Sequence, residues 1–202
     1  MLCEAILDSS AAYSAEGYVA TKYISPFAHY TPVEYLVKWA TLHWEEVQAH
    51  QVRRDVFCEE QGIFTVDDRD ATDDRAQLIV ALACTAGMPD QVVGTVRIHE
   101  DAPGLWFGSR LAVDEDFRSQ GKLGATLIKL AVTSANAIGC HTFLAHVQSQ
   151  NVPLFRRLHW SILNEETILG RSHHLMQANL TKYPACASPQ SGFVIQSKSH
   201  HV

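Results

Sequence analysis

The sequence has little that would tie it to a membrane, a nucleic acid or a metal. No apolar run approaches the roughly 18–20 residues that a membrane-crossing helix requires. The first residues carry Glu4 and Asp8 where a secretory leader is basic, so no leader is expected. The five cysteines, Cys3, Cys58, Cys84, Cys140 and Cys186, are scattered, odd in number and never spaced Cys-x-x-Cys. That usage speaks against a disulfide framework and a zinc site, and for a reduced, cytoplasmic chain. Positive charge is scarce: 16 Lys and Arg against 22 Asp and Glu give a formal net charge of −6. Such a balance argues against non-specific nucleic-acid binding, but a local basic loop can still hold an anionic ligand. No internal repeat is present. With 202 residues, 47% hydrophobic and 19% charged, the composition is that of one soluble domain with a sizeable core.

The most informative residues fall between positions 104 and 139. A strand is expected over 105–113, apolar at both ends and interrupted by Gly108, the mark of a bulge or a close backbone approach. A helix follows, its apolar residues Leu123, Leu127, Leu130, Ala131 and Ile138 near the 3.6 period. Between them, Arg118-Ser-Gln-Gly-Lys-Leu-Gly124 brings two cations and two glycines to a helix N-terminus. The first helical turn leaves about four N–H groups unpaired and carries roughly half a positive charge. Glycine lets an anion approach the backbone. The loop formed by Arg118, Ser119, Gln120, Gly121, Lys122, Leu123, Gly124 and Ala125 therefore suits a phosphate or pyrophosphate. A solvated turn that merely starts a helix is the alternative.

The run from Leu111 to Ile128, Leu-Ala-Val-Asp-Glu-Asp-Phe-Arg-Ser-Gln-Gly-Lys-Leu-Gly-Ala-Thr-Leu-Ile, resembles the acetyl-CoA-binding motif of the GNAT superfamily of N-acetyltransferases. There a strand ending in Val leads to Arg-x-x-Gly-x-Gly/Ala, whose backbone wraps the CoA pyrophosphate. Arg118 and Gly121 match; Leu123 stands at the second small position, and Gly124 follows one place later. The resemblance implies an α/β fold with a central mixed sheet of six to seven strands flanked by helices. Two parallel strands in it splay apart at the acetyl-CoA site. It also implies acetyl-CoA as co-substrate, a small-molecule amine as acceptor, backbone oxyanion donors near Leu111, Ala112 and Val113, and a homodimer, since such domains commonly pair.

Along the rest of the chain, Val33, Tyr35, Val37 and Trp39 alternate with less apolar neighbours and mark a strand over 33–40, after an N-terminal extension of residues 1–32. A helix is expected from Thr41 as N-cap to about Gln61, with Trp44, Val47, Val52 and Val56 inward and Gly62 as its stop. Its sequence Arg53-Arg-Asp-Val-Phe-Cys-Glu-Glu-Gln-Gly62 resembles the first helix of one GNAT branch, where helix and acidic loop wall the acceptor site. The loop here holds Asp67, Asp68, Asp70, Asp73 and Asp74. It reads either as a solvated charged loop or as an attractor for a cationic amine. Its spacing lacks the glycine and terminal glutamate of an EF-hand, so no metal is expected. Residues 76–84 and 91–99 form a hairpin, and 141–148 a strand joined to 105–113 by a crossover helix and hence parallel to it.

The stretch from Asn151 to Trp160 resembles the second CoA element of the superfamily. It places Asn151 and Phe155 at the cofactor, Phe155 where many relatives carry a tyrosine that protonates the CoA sulfur. Residues 162–167 and 171–180 form a closing strand pair. The domain thus spans 33–182, and residues 183–202, rich in Ser, Pro and Gly, are expected to be a flexible tail. Glu34-Tyr-Leu-Val-Lys-Trp-Ala40, Val56-Phe-Cys-Glu-Glu-Gln-Gly-Ile-Phe64 and His174-Leu-Met-Gln-Ala-Asn-Leu-Thr-Lys-Tyr-Pro184 further resemble a bacterial subfamily of nitrogen-starvation N-acetyltransferases, whose genes lie in nitrilase-containing clusters. That resemblance implies a role in nitrogen metabolism.

Attack of an amine on a thioester needs a base, oxyanion donors and an acid for the departing thiolate. The candidate bases are Glu60, His99, Glu100 and His146. Histidine titrates in the useful range, and His146 lies on the strand flanking the cofactor gap. Each has an ordinary alternative: a hydrogen-bonded strand histidine, a solvated carboxylate, a hairpin end. The phenyl ring of Phe155 cannot donate a proton, which leaves water, His146, Ser149 or His159. Arg110 either holds a carboxylate of the acceptor or makes an ion pair within the fold. Three functions remain open: a CoA-dependent N-acetyltransferase, a non-catalytic acetyl-CoA-binding regulator, and an acyltransferase of the acyl-homoserine-lactone-synthase type. The last would need a pocket for S-adenosylmethionine as well.

Overall fold

A computed structural model describes Pro32, residues 34–120 and residues 122–197. The rest of the N-terminal extension, the expected strand start at Val33, Gly121, and residues 198–202 lie outside the described residues. The β-branched and apolar segments form eight strands: β1 (Glu34–Trp39), β2 (Gln77–Thr85), β3 (Met88–Ala102), β4 (Leu105–Val113), β5 (Thr142–Gln148), β6 (Trp160–Ile168), β7 (Arg171–Ala178) and β8 (Phe193–Gln196). They make one sheet in the order β6-β7-β5-β4-β3-β2-β1-β8. Every neighbouring pair is antiparallel except β4 and β5, which are parallel, as a strand–helix–strand crossover requires.

The helices cover the two faces. Helix α1 (His43–Arg54) runs on as a π-helical turn over Asp55–Glu60. Its buried residues Ala49, Val52, Val56 and Phe57 pack on Val80, Leu82, Val92 and Ala112. The buried stripe follows the 45-49-52-56 spacing, so Val47 falls off it and is exposed. The helix starts one residue later than a Thr41 cap would give. Glu45, itself buried, accepts hydrogen bonds from the backbone N–H groups of Thr41 (2.8 Å) and Leu42 (3.1 Å) and from Lys38 Nζ (2.7 Å). Helix α2 (Leu123–Ala137) packs Leu127, Leu130, Ala131 and Ala135 on the opposite face, against Val37, Ile79, Val96 and Ile98. Ile138 lies past its end and is exposed. A close approach is needed where α2 crosses β3: a Cβ on Gly94 would meet Leu127 Cδ1 at 3.2 Å. Helix α3 (Val152–Arg157) carries Pro153 in its first turn, where no N–H is missed.

The expected tail is where the architecture departs most from the sequence reading. Residues 183–197 are not loose. Tyr183 is buried, and Phe193–Gln196 form β8, which pairs antiparallel with β1 and raises the strand count to eight. Trp39 N–H donates to the Pro189 carbonyl (2.9 Å). The exposed edge of β1 supplies a row of unpaired backbone groups. The Phe193-Val-Ile-Gln196 alternation satisfies them, with Phe193 and Ile195 packed on the core. Four strand-forming residues outweigh the loop-like composition around them.

Candidate functional site

Strands β4 and β5 pair only from Leu105–Thr142 to Gly108–Ala145. Beyond that point both continue but no longer touch in register, so the sheet forks. β4 is bulged in the same place: Arg110 and Leu111 together stand opposite Val96 of β3, and Arg110 takes a positive φ of 55°. A bulge leaves its extra residue outside the ladder and bends the strand. Gly108, at the crotch of the fork, has no room for a side chain; a Cβ there would lie 3.0 Å from Phe143.

A cavity of about 480 Å³ fills the fork. On the α2 side its walls are apolar: Ile128, Ala131, Phe143, Val147, Phe155 and Trp160. On the α1 side they are mixed: Phe57, Gln61, Phe64, Arg97, His99, Phe107, Arg110 and His146, with Leu169, Arg171 and His173 from the β6–β7 hairpin. The cavity therefore passes through the sheet, from an apolar channel to a polar chamber.

The chamber's far wall is an ion network. Arg53, fully buried, donates to Asp68 (2.8 Å) and with two nitrogens to Asp73 (2.6 and 3.1 Å). Arg97 clamps Asp70 (2.7 and 3.1 Å) and reaches Asp73 (2.8 Å). Arg110 binds Asp68 (2.9 Å) and Asp70 (3.0 Å), with Phe64 beneath its guanidinium at 4.9 Å. Hydrogen bonding by Arg97 holds the Asp70 carboxyl down at about 2. Burial alone would push Asp73 up, but bonding to Arg53 outweighs it and takes that carboxyl well below the usual range. Three guanidiniums thus match three carboxylates. Within the acidic loop, Asp68 and Asp73 are buried in this network, neither solvated nor available to draw in a cation, whereas Asp70 is paired but 40% exposed and Asp67 and Asp74 are exposed, as a solvated loop would have them. Arg110 makes ion pairs within the fold and also lines the cavity.

A second group stands on β3, β4 and β5. Phe107 is sandwiched between His99 (5.9 Å, 19°) and His146 (5.8 Å, 11°). His146 Nδ1 is hydrogen-bonded to Glu166 of β6. Burial, with Arg75 and Arg97 adding to it, lowers the His99 imidazole, and its Nδ1 is buried with no hydrogen-bond partner among the described residues.

None of the described residues from Arg118 to Ala125 lines the cavity; they follow β4 in the chain and lead into α2. α2 begins at the C-terminal end of β4, where a Cβ on Gly124 would lie 3.9 Å from Val113. Its N-cap Lys122 sits at φ 77°, and its side chain makes no capping hydrogen bond among the described residues. Such a turn suits an anion. Ser119 is exposed, and Gln120 accepts from Ser197 Oγ (3.1 Å). Arg118 donates to the Val113 carbonyl (2.9 Å) and forms a two-pronged pair with Glu60.

Of the candidate bases, His146 and His99 line the cavity; Glu60 and Glu100 do not. Glu60 is held by Arg118, whose hydrogen bond lowers its carboxyl further. Glu100 accepts from Gly104 N–H (2.8 Å) and closes a turn. Leu111, Asn151 and Phe155 line the cavity, whereas Ala112 is buried in the ladder and Leu123 under α2. Phe155 packs edge-on to Trp160 (5.0 Å). Ser149 is engaged with Ser172 (2.7 Å), and His159 is exposed outside the cavity. Burial drives the Cys140 thiol up to about 11, which removes it as a nucleophile. Sequence reasoning missed Phe107, Glu166 and the β6–β7 hairpin residues. Strand alternation could have put Phe107 on the His99 face, but linking Glu166 to His146 needs the order β6-β7-β5, which no local pattern carries.

A model of the acetyltransferase (GNAT) family matches residues 35–160. No curated protein sequence matches the chain. Among solved structures, an N-acetyltransferase candidate from Lactobacillus plantarum is similar at 19% identity and a TM-score of 0.65, over 72% of this chain and 98% of that one. Escherichia coli ElaA is similar at 17% identity and a TM-score of 0.58, over 72% and 98%. BjaI, a CoA-dependent acyl-homoserine lactone synthase with SAM and isopentyl-CoA in its structure, is similar at 15% and 0.57, over 71% and 82%. At these identities the likeness is one of fold.

Proposed function

The chain belongs to the acetyltransferase (GNAT) family, and on that footing we propose that it transfers the acetyl group of acetyl-CoA to the amine of a small molecule by direct attack in a ternary complex. As a family member it is an acyltransferase that works with a CoA-type co-substrate and an acceptor. The observation that carries the finer reading is the through-sheet cavity at the β4–β5 fork, with the N-terminus of α2 following the end of β4 in the chain. The pyrophosphate takes the first-turn N–H groups around Gly121 to Ala125, with Ser119, Gln120, Lys122 and Arg118 around it. The pantetheine arm follows the apolar channel past Leu111, Asn151 and Phe155. The thioester carbonyl then meets backbone N–H groups of β4 near Leu111 to Val113, and the amine enters from the polar chamber. His146 is the base that this placement favours, because it lines the chamber while Glu60 and Glu100 are engaged elsewhere. The segments resembling the nitrogen-starvation subfamily support a cytoplasmic role in nitrogen metabolism.

The absence of a hydroxyl at Phe155 also favours a second reading, a regulator that binds acetyl-CoA without turning it over. A metabolite-library screen for acetyl-CoA consumption, with mass spectrometry of the product, separates the two. An acetylated amine supports transfer. Binding of acetyl-CoA with no free CoA released under any amine supports the regulator. Gly121→Glu tests the pyrophosphate placement: acetyl-CoA affinity is expected to be abolished, and unchanged affinity would refute the placement.

A further inference from the structure

We propose that His146 carries the proton through the whole reaction, taking it at Nε2 from the attacking amine and returning it to the departing sulfur, and that Glu166 is the positioning residue that fixes its tautomer. The inference rests on the acetyl transfer proposed above and adds which groups move the proton. Only one nitrogen of His146 is open to do so. Its Nδ1 is engaged by the Glu166 carboxylate, which accepts a hydrogen and offers none, so Nδ1 keeps its proton and Nε2 its lone pair. The ring plane is set independently by the stack on Phe107, itself backed by His99. Glu166 reaches His146 over β7: Glu166 is opposite His173, and His146 opposite Leu175. Two contacts from different strands thus hold one imidazole against the cavity wall.

Two other imidazoles line the same cavity, but His173 Nδ1 is engaged with the Arg171 carbonyl (2.9 Å) and His99 is stacked behind Phe107. Phe155 has no proton to give, Ser149 is engaged with Ser172, and His159 lies outside. A single histidine closes the balance. The neutral amine forms the C–N bond at the thioester carbonyl, and its surplus N–H proton moves to Nε2. The imidazolium so formed faces the Glu166 carboxylate, which stabilises it. The C–S bond breaks with its electron pair on sulfur, and the proton on Nε2 passes to that sulfur, leaving amide, thiol and neutral His146. An acceptor that arrives as an ammonium first loses one proton to solvent. Among the described residues, the charged and titratable groups that line the cavity with the His146 ring are Arg97, His99 and Asp101 on β3, Arg110 on β4 and Arg171 and His173 on β7, with Glu166 on β6 bonded to it.

The test uses the full chain, acetyl-CoA and an amine that the wild-type protein acetylates. Imidazole-nitrogen NMR of the free protein is expected to show neutral His146 protonated at Nδ1, and Glu166→Gln to weaken that preference for the Nδ1–H tautomer. The same variant is expected to lose about tenfold or more in kcat with KM for acetyl-CoA within about twofold. Glu166→Asp should regain most of that kcat. His146→Gln should lose about a hundredfold or more, the range of general acid–base catalysis, and adding Phe155→Tyr should restore part of it. Unchanged kcat and an unchanged His146 tautomer in Glu166→Gln would overturn the proposal and leave acetyl transfer standing. A loss of kcat without a change in that tautomer would make Glu166 structural only and overturn it too. A wild-type chain that binds no acetyl-CoA, or acetylates no amine, overturns both.

Discussion

Arg53 is fully buried, and Arg54, its neighbour in sequence, is not. The difference lies in the helix turn: Arg53 is on the sheet-facing side beside Val52, Val56 and Phe57, where Asp68 and Asp73 meet it. Removing one partner of a buried ion pair leaves an uncompensated charge, a loss of about 3–5 kcal/mol. Arg53→Met is therefore expected to destabilise the protein by that amount, measured by urea unfolding at neutral pH. Arg53→Lys should also cost stability, because a point charge cannot span two carboxylates as a planar fork does. A shift below about 1 kcal/mol in Arg53→Met would mean that the network is not holding the loop. The Glu60–Arg118 pair is the opposite case, exposed and worth roughly 0.2–1 kcal/mol. If a pyrophosphate competes for Arg118, Glu60→Gln removes that competition and should tighten acetyl-CoA binding by up to about fivefold, read by titration calorimetry. Weaker binding would instead make Glu60 part of the cofactor site.

Elements whose pattern is local were legible in the sequence. The alternation of β1, the 3.6 period of α2 and the glycine at the fork give type and rough bounds without any tertiary knowledge, whereas Leu111, Asn151 and Phe155, which line the cavity, were named through the family resemblance. The acidic loop was not legible: the arginines that neutralise it lie 15 to 40 or more residues away in the chain, on α1, β3 and β4. Nor was β8, four residues in a loop-like composition, whose strand state is imposed by the open edge of β1. That dependence is testable at Gly192, which sits at φ 61°, where a Cβ would come within 1.9 Å of the Val37 carbonyl oxygen and 2.8 Å of Lys38 Cα. Both obstacles are backbone, and the left-handed conformation alone costs a side chain roughly 1–2 kcal/mol. Gly192→Ala should lower the thermal midpoint and speed amide exchange along β1. Wild-type protection of those amides would show that the edge does not need β8.

For the molecule as a whole, the three-by-three ion network joins α1, the acidic loop, β3 and β4, so its titration should appear as global stability. Asp70 is held at about 2 and Asp73 lower still, both under their ordinary value. A carboxyl depressed in the folded state contributes stability that is complete above the unfolded pKa of about 3.9 and lost as pH falls through the folded value. Unfolding free energy from these groups should thus hold steady down to about pH 4 and decline steeply towards pH 2. Asp73, with a side chain only 4% exposed, should dominate, because Asp70 at 40% is screened by water. In Asp73→Asn the neutral amide cannot compensate Arg53 and Arg97, so stability at pH 7 falls. The acid limb should flatten as well, since one of its titrating groups has gone. Chemical unfolding of both proteins from pH 7 to pH 2 gives the two curves. An acid limb of equal slope in wild type and variant would mean that the network does not govern acid stability, and would leave the wall of the polar chamber without its clamp.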